Sequence, residues 1–267
     1  MDDKLQTNRD LWEEWTDINA RSKMYNLDGF KRGENKLDHL IRSEVGDVAG
    51  KSLLHMQCHF GMDTLSWARL GANVTGADFS PKAIALAEDL AAELNIPARF
   101  VCCDIYDLPK HLQGQFDIVF ASYGVLTWLP DFPRWMKIAA DFLNPGGMFY
   151  LADGHPNSWI FDEYSDDWVM KYPYFQKEPM ICEDSGSYAD RSPDNKTMQS
   201  YQWQHTLGEI VTAICDNGLR LEFLHEFGFV EFQAHPTMVD DGEGFWHHPE
   251  GDDRLPMLFS VKARKPE

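Results

Sequence analysis

The chain has 267 residues, 43% of them hydrophobic, and a formal net charge of −19. That length holds one domain, or one domain with a sizeable insertion, and that charge repels polyphosphate, which argues against nucleic acid as a partner. With no long uncharged apolar run, no signal-peptide pattern at Met1-Asp2-Asp3-Lys4 and five Cys without a CxxC pair, a cytoplasmic protein with reduced thiols and no membrane partner is expected.

In chain order, residues 7–22 read as a helix with Trp12, Trp15 and Ile18 on one face. A loop with a turn at Asp28-Gly29 follows, then a short helix over 35–45. From there strands and helices alternate: strand 52–57, helix 63–70, strand 73–77, helix 81–94, strand 98–102, strand 116–121, helix 132–142 and strand 148–152. Ser80 is placed as the N-cap of the helix at 81, with Pro81 in its first position. This rhythm predicts an α/β fold: a doubly wound, Rossmann-like, mostly parallel seven-stranded sheet whose ligand site lies at the strand C-terminal ends.

The rhythm stops at residue 153. Residues 155–190 hold eight aromatics, among them Trp159, Tyr164 and Tyr188, and eight acids against two lysines. A linker would be poor in aromatics, so this is expected to be an ordered insertion that covers something. A helix at 205–217 and strands at 219–227 and 257–264 are expected to finish the sheet. The expected plan is a helical cap over 1–50, a core over 51–152, an insertion over 153–204 and closing elements over 205–267.

Three strand ends carry polar groups. Gln57–Gly61 is a turn aimed at a helix N-terminus, where backbone N–H groups meet a polar ligand. Asp78 follows the second strand at the spacing of a ribose-binding acid. Asp104 follows the third, where its carboxylate is placed to meet an adenine amino group while Ile105 packs on the ring. For proton chemistry the candidates are Asp153, His155, His205, His235, His247 and His248. His155 is expected at the mouth of the site as a neutral imidazole able to take a proton. His205 either lines the acceptor pocket or only caps its helix. Adjacent His247 and His248 do not easily face one ion, and no metal is expected.

These features resemble the class I S-adenosylmethionine-dependent methyltransferases. Leu54-His55-Met56-Gln57-Cys58-His59-Phe60-Gly61 stands at the glycine-rich first motif and Val74-Thr75-Gly76-Ala77-Asp78-Phe79-Ser80-Pro81 at the second. Cys102-Cys103-Asp104-Ile105 looks like the third, Phe116–Val119 with Tyr123–Pro130 the fourth, and Leu143-Asn144-Pro145-Gly146-Gly147 the fifth. The Gln-Cys-His-Phe-Gly turn and the Leu207-Gly208-Glu209-Ile210-Val211 segment are similar to a bacterial subgroup of mostly uncharacterised methyltransferases.

The resemblance implies S-adenosylmethionine as cofactor, S-adenosylhomocysteine as product, and a small or medium-sized organic acceptor. It places Gln57, Cys58, His59, Gly61, Asp78, Phe79, Ser80, Asp104, Ile105 and Ser122 at the cofactor. Tyr25, in a pre-sheet segment that folds over the cofactor in that superfamily, either sits near the sulfonium, where cation–π attraction acts, or only packs. Tyr123 and Trp128 follow the fourth strand, the edge that meets the acceptor, with Tyr123 a catalytic candidate beside His155 and Trp128 and Trp159 as aromatic walls. The insertion 155–204 and the loop 236–252 are the expected acceptor lid.

The chain departs from the superfamily pattern at the turn, with His55 in place of an acid and Gln57 and His59 in place of glycines. Side chains there limit backbone approach to the ligand, so the methionyl end is expected to be held differently, with Gln57 and His59 as candidates. A catalytically silent cofactor-binding protein, a nicotinamide-dependent oxidoreductase and an RNA or protein methyltransferase remain as alternatives, and the protein is expected as a monomer or homodimer.

Overall fold

The computed structural model describes residues 2–162, 164–190, 192 and 196–267. The chain opens with α1 (Asp3–Arg21), α2 (Leu27–Lys31) and α3 (His39–Val45). The core then runs β1 (Ser52–Met56), α4 (Met62–Arg69), β2 (Asn73–Asp78), α5 (Pro81–Glu93) and β3 (Ala98–Cys102). It continues with α6 (Leu108–His111), β4 (Phe116–Ser122), α7 (Phe132–Asp141) and β5 (Leu143–Gly154). A hairpin of β6 (Met180–Ser185) and β7 (Thr197–Gln202) precedes α8 (Leu207–Asp216) and β8 (Arg220–Phe227). Short strands β9 (Phe229–Val230), β10 (Val239–Asp240) and β11 (Trp246–His247) come before β12 (Leu258–Arg264).

The central sheet has the order β3-β2-β1-β4-β5-β12-β8. β1 to β5 pair in parallel, and β12 inserts antiparallel between β5 and β8. The central strands β1, β4 and β5 are buried along nearly their whole length because both faces are covered. Side chains alternate across the sheet. Leu54, Val119, Ala121, Phe149 and Leu151 pack with Trp135 and Met136 of α7 and Ile210 of α8 on one face. Leu53, Ile118, Phe120, Met148 and Tyr150 pack with Ile41 and Val45 of α3 and Trp67 of α4 on the other.

The seven-stranded, mostly parallel sheet matches the sequence expectation, as does the Ser80 cap, whose hydroxyl accepts from the Ala83 N–H at 3.0 Å. α8 begins with a reciprocal Thr206/Glu209 capping box. Two elements differ. The first helix starts four residues earlier than periodicity placed it, because Asp2 caps it. The loop at 236–252 contributes β10 and β11 to a three-stranded sheet with β9. Two-residue strands carry too little alternation to be read from pattern.

The insertion is bound to the first helix through polar contacts. Asn8, fully buried, donates from Nδ2 to the Tyr201 carbonyl at 2.7 Å and accepts the Tyr201 N–H at 2.8 Å, completing the edge of β7 as a neighbouring strand would. Trp15 Nε1 donates to the Gly186 carbonyl at 2.7 Å, and Ser187 Oγ donates to Asn19 Oδ1 at 2.6 Å. These contacts close the N-terminal helix and the hairpin over the C-terminal ends of the strands.

Candidate active site

The turn after β1 is built in left-handed backbone. Gln57 has φ 59°, His59 φ 51° and Gly61 φ 76°. Only glycine adopts that region without cost, and non-glycine residues there mark strain held in place by the surroundings. At Gly61 no side chain fits: a Cβ would lie 2.8 Å from Phe100 Cε1 and 2.9 Å from Ala87 Cβ. Two anchors hold Gln57 and His59. The Gln57 side chain accepts from Trp135 Nε1 at 2.8 Å and donates to the Val125 carbonyl at 3.3 Å. The His59 N–H donates to Asp78 Oδ2 at 2.8 Å.

Asp78 ends β2 and is 8% exposed. Its other oxygen accepts the Ser80 N–H at 2.9 Å. Burial outweighs these backbone donors, and a third from Phe79, and pushes its carboxyl up to about 6. A carboxylate offers about four acceptor positions, so three committed donors leave room for one ligand hydroxyl. α4 starts at Gly61 with no side-chain cap, so its first N–H groups face the turn without a side-chain acceptor.

The strand-four side is held by Asp153. Its buried carboxylate accepts the N–H groups of Gly124 at 2.8 Å, Val125 at 3.0 Å, Leu126 at 2.9 Å and Gly154 at 2.7 Å. Four donors occupy it fully, so Asp153 shapes the loop after β4 and is not free for proton transfer. Asp104 caps its own short turn by accepting the Tyr106 N–H at 3.0 Å, with Ile105 buried beside it. Ser122 Oγ donates to Asp63 Oδ2 at 3.4 Å, and Tyr123 Oη donates to Asp38 Oδ2 at 2.6 Å. Burial and the nearby Asp38 push the Asp63 carboxyl up to about 6.

Aromatics form the roof. The hydroxyls of Tyr25 and Tyr188 are hydrogen bonded. Trp12 meets Trp128 edge-on at 5.4 Å and His59 at 5.0 Å, the geometry favoured by ring quadrupoles. Trp159 stacks with Phe232 at 5.7 Å.

These parts enclose one cavity of about 1480 Å³. It is larger than the few hundred to about 1,000 Å³ of a typical single-ligand pocket, so it has room for two ligands side by side. Of the residues singled out in the sequence, Tyr25, Gln57, Cys58, His59, Gly61 and Asp78 line it. So do Phe79, Asp104, Ile105, Ser122 and Tyr123, together with Trp128 and Trp159.

Three expected residues stand elsewhere. Ser80 is fully buried and donates to Glu13 Oε1 at 2.5 Å. His205 Nε2 bonds the Leu129 carbonyl at 2.8 Å, and the cap expected of it is supplied by Thr206. His155 is 2% exposed, with Nε2 2.9 Å from Glu226 Oε1 and Nδ1 accepting the Asn157 N–H at 3.0 Å. Both its ring nitrogens are committed away from the cavity, so the structure does not place it as a proton acceptor there. Tyr123 lines the cavity, but its hydroxyl proton is given to Asp38.

Asp38, Asp63 and Glu231 line the cavity and were not singled out from sequence. Asp63 sits in the first turn of α4 and Asp38 caps α3, where acids are ordinary. Glu231 follows the two-residue strand β9, far from any motif.

The architecture recurs in solved structures. An S-adenosylmethionine-dependent methyltransferase from Mesorhizobium loti superposes with a TM-score of 0.61 at 23% identity, covering 88% of this chain and 100% of that one. Magnesium protoporphyrin IX methyltransferase from Synechocystis with bound S-adenosylhomocysteine gives a TM-score of 0.57 at 14% identity, covering 98% and 100%. The fold is therefore that of the S-adenosylmethionine-dependent methyltransferases. Residues 53–147 match the family described as methyltransferase domain. An uncharacterized methyltransferase of Synechocystis is 33% identical over 132 residues, which is 48% of this chain and 59% of that protein. The ubiquinone biosynthesis O-methyltransferase of Bordetella pertussis is 26% identical over 133 residues, 49% of this chain and 55% of that protein. The alignments thus span little more than half the length of these relatives.

Proposed function

We propose that this protein is an S-adenosylmethionine-dependent methyltransferase acting on a small or medium-sized organic acceptor. One observation carries the reading: the ends of β1, β2 and β3 bring the left-handed turn, Asp78 and Asp104–Ile105 to the wall of a single cavity. The wall suits the cofactor chemically. Asp78 offers an acceptor position for a ribose hydroxyl, and the uncapped start of α4 offers N–H donors. Asp104 and Ile105 offer a carboxylate and an apolar surface to an adenine ring. The imidazole Nε2 atoms of His55 and His59 are buried in the same wall without a partner among the described residues, and a buried polar atom left unpaired is costly. Burial pushes both rings down to about 3, so they meet a ligand as neutral groups.

Bound there, the cofactor supplies a methyl carbon already activated by positive sulfur. What the chain must add is position and dryness. Asp153 fixes the loop after β4 and thereby the Tyr123–Trp128 wall. Trp12, Trp128, Tyr25 and Tyr188 keep water out and present ring faces that attract positive charge. The covering hairpin and the β9–β11 sheet make the lid of the acceptor side. The acids of the wall, Asp38 and Asp63 among them, outnumber its cations Lys36 and Arg42, and this negative character favours apolar or cationic acceptors over phosphorylated ones.

Thermal unfolding with different ligands tests the assignment. S-adenosylhomocysteine at 100 times its Kd stabilises the fold by about 2.7 kcal/mol and raises Tm, while NADH does not. A shift with NADH and none with the adenosyl compound contradicts it.

A further inference from the structure

Among the described residues, Glu231 is the acid of the cavity wall with a buried carboxyl oxygen, Oε2, that has no hydrogen-bond partner. Its neighbours do not neutralise it. Asp38 and Asp153 lie close enough for their charges to act on it, and its own charge acts on the hydroxyls of Tyr123 and Tyr188. Among the described residues no lysine or arginine acts on it. A buried carboxyl in that setting is costly unless something brings it a donor or a positive charge.

Glu231 shares its cavity with the cofactor side, and the tyrosine pair stands in the same wall. Tyr188 feels both Glu231 and Asp63, and Tyr25, bonded to Tyr188, feels Asp63 and Asp78. Tyr25, Tyr188, Asp78 and Glu231 all line the one cavity. Phe232 next to Glu231 stacks on Trp159, while Trp12, Trp128 and Tyr188 present aromatic surface toward the same interior. A carboxyl facing aromatic walls is the usual chemistry for holding an organic amine.

We propose that Glu231 docks the nitrogen of a primary or secondary amine acceptor, and that the amine is the group methylated; this rests on the methyltransferase reading above. The balance is simple. One N–H proton of the docked ammonium passes to Glu231 Oε2 and frees the lone pair, the lone pair forms the N–C bond, the C–S bond breaks with its electrons going to sulfur, and the product leaves as the methylated ammonium with the carboxyl protonated again. Burial and the neighbouring acids push the free carboxyl up to about 8, in the range where it can exchange a proton with an amine. An ammonium ion docking on the protonated carboxyl releases one proton to solvent.

The test uses three probes of one skeleton: phenethylamine, phenethyl alcohol and phenylacetate, each titrated into the protein saturated with S-adenosylhomocysteine. The amine is expected to bind at least about tenfold tighter than the alcohol, the carboxylate not at all, and amine binding at pH 7 to release protons, read as a heat that changes with buffer ionisation enthalpy. Glu231→Gln is expected to abolish both the preference and the proton release while binding S-adenosylhomocysteine unchanged, which also shows that it folds. Equal binding of amine and alcohol, no binding of the amine, or a Glu231→Gln protein that keeps the preference overturns the inference and leaves the cofactor reading standing. Failure of S-adenosylhomocysteine itself to bind overturns the reading beneath it, and the inference falls too.

Discussion

Asp78 carries two tasks that pull its protonation in opposite directions. As a wall of a buried site it is pushed up to about 6, so ionising it in the folded chain costs about 3 kcal/mol relative to the unfolded one. As a ribose acceptor it must be ionised. The sign follows: its folded value lies above its unfolded value, so it favours the ligand-free fold at low pH, and that contribution is lost as pH rises from about 4 through 6. Cofactor binding runs the other way and weakens as pH falls through 6. Affinity for S-adenosylhomocysteine, measured between pH 5 and 8, is therefore expected to drop on the acid side. Asp63, also pushed up to about 6 beside Asp38, titrates in the same window. Asp78→Asn should flatten part of the profile and not all of it. A profile unchanged by that substitution would remove Asp78 from the binding step.

At the scale of elements, the turn and the covering hairpin make separate predictions. Gly61→Ala forces a Cβ against Phe100 and Ala87 in backbone at φ 76°, with an expected cost of about 2 kcal/mol in urea unfolding. Asn8→Ala removes two hydrogen bonds that close the edge of β7 and leaves the Tyr201 backbone unpaired, costing about 2 kcal/mol. Its sharper signature is faster proteolysis within residues 164–190, because α1 then holds this region only through Trp15 and Asn19; equal digestion of variant and wild type would refute that role. The repeating core was legible because strand alternation, Gly punctuation and the Ser80-Pro81 cap are local signals. The turn was legible in place but not in conformation: Gln57 and His59 occupy left-handed backbone that Trp135 and Asp78 hold from elsewhere in the chain, and no local pattern encodes such anchors.

On the scale of the whole molecule, the site is assembled from every part of the chain: Tyr25 before the sheet, the strand ends of the core, Tyr188 in the insertion and Glu231 near the end. Strand-end acids could be read because topology dictates where β1, β2 and β3 end. The partners of His155 and His205 could not, since Glu226 and the Leu129 carbonyl meet those rings only through long-range packing. The same limit hid Glu231. Among the described residues no helix is long and apolar enough to cross a membrane.

The central claim is that Asp78 and the turn at 57–61 form a cofactor site, and calorimetric titration with S-adenosylhomocysteine of wild type and Asp78→Ala tests it most directly. The account predicts one site in the wild type and binding weaker by about 10- to 100-fold in the variant, the worth of charge-assisted hydrogen bonds. Equal affinity in the two proteins, or no binding to the folded wild type, would contradict it.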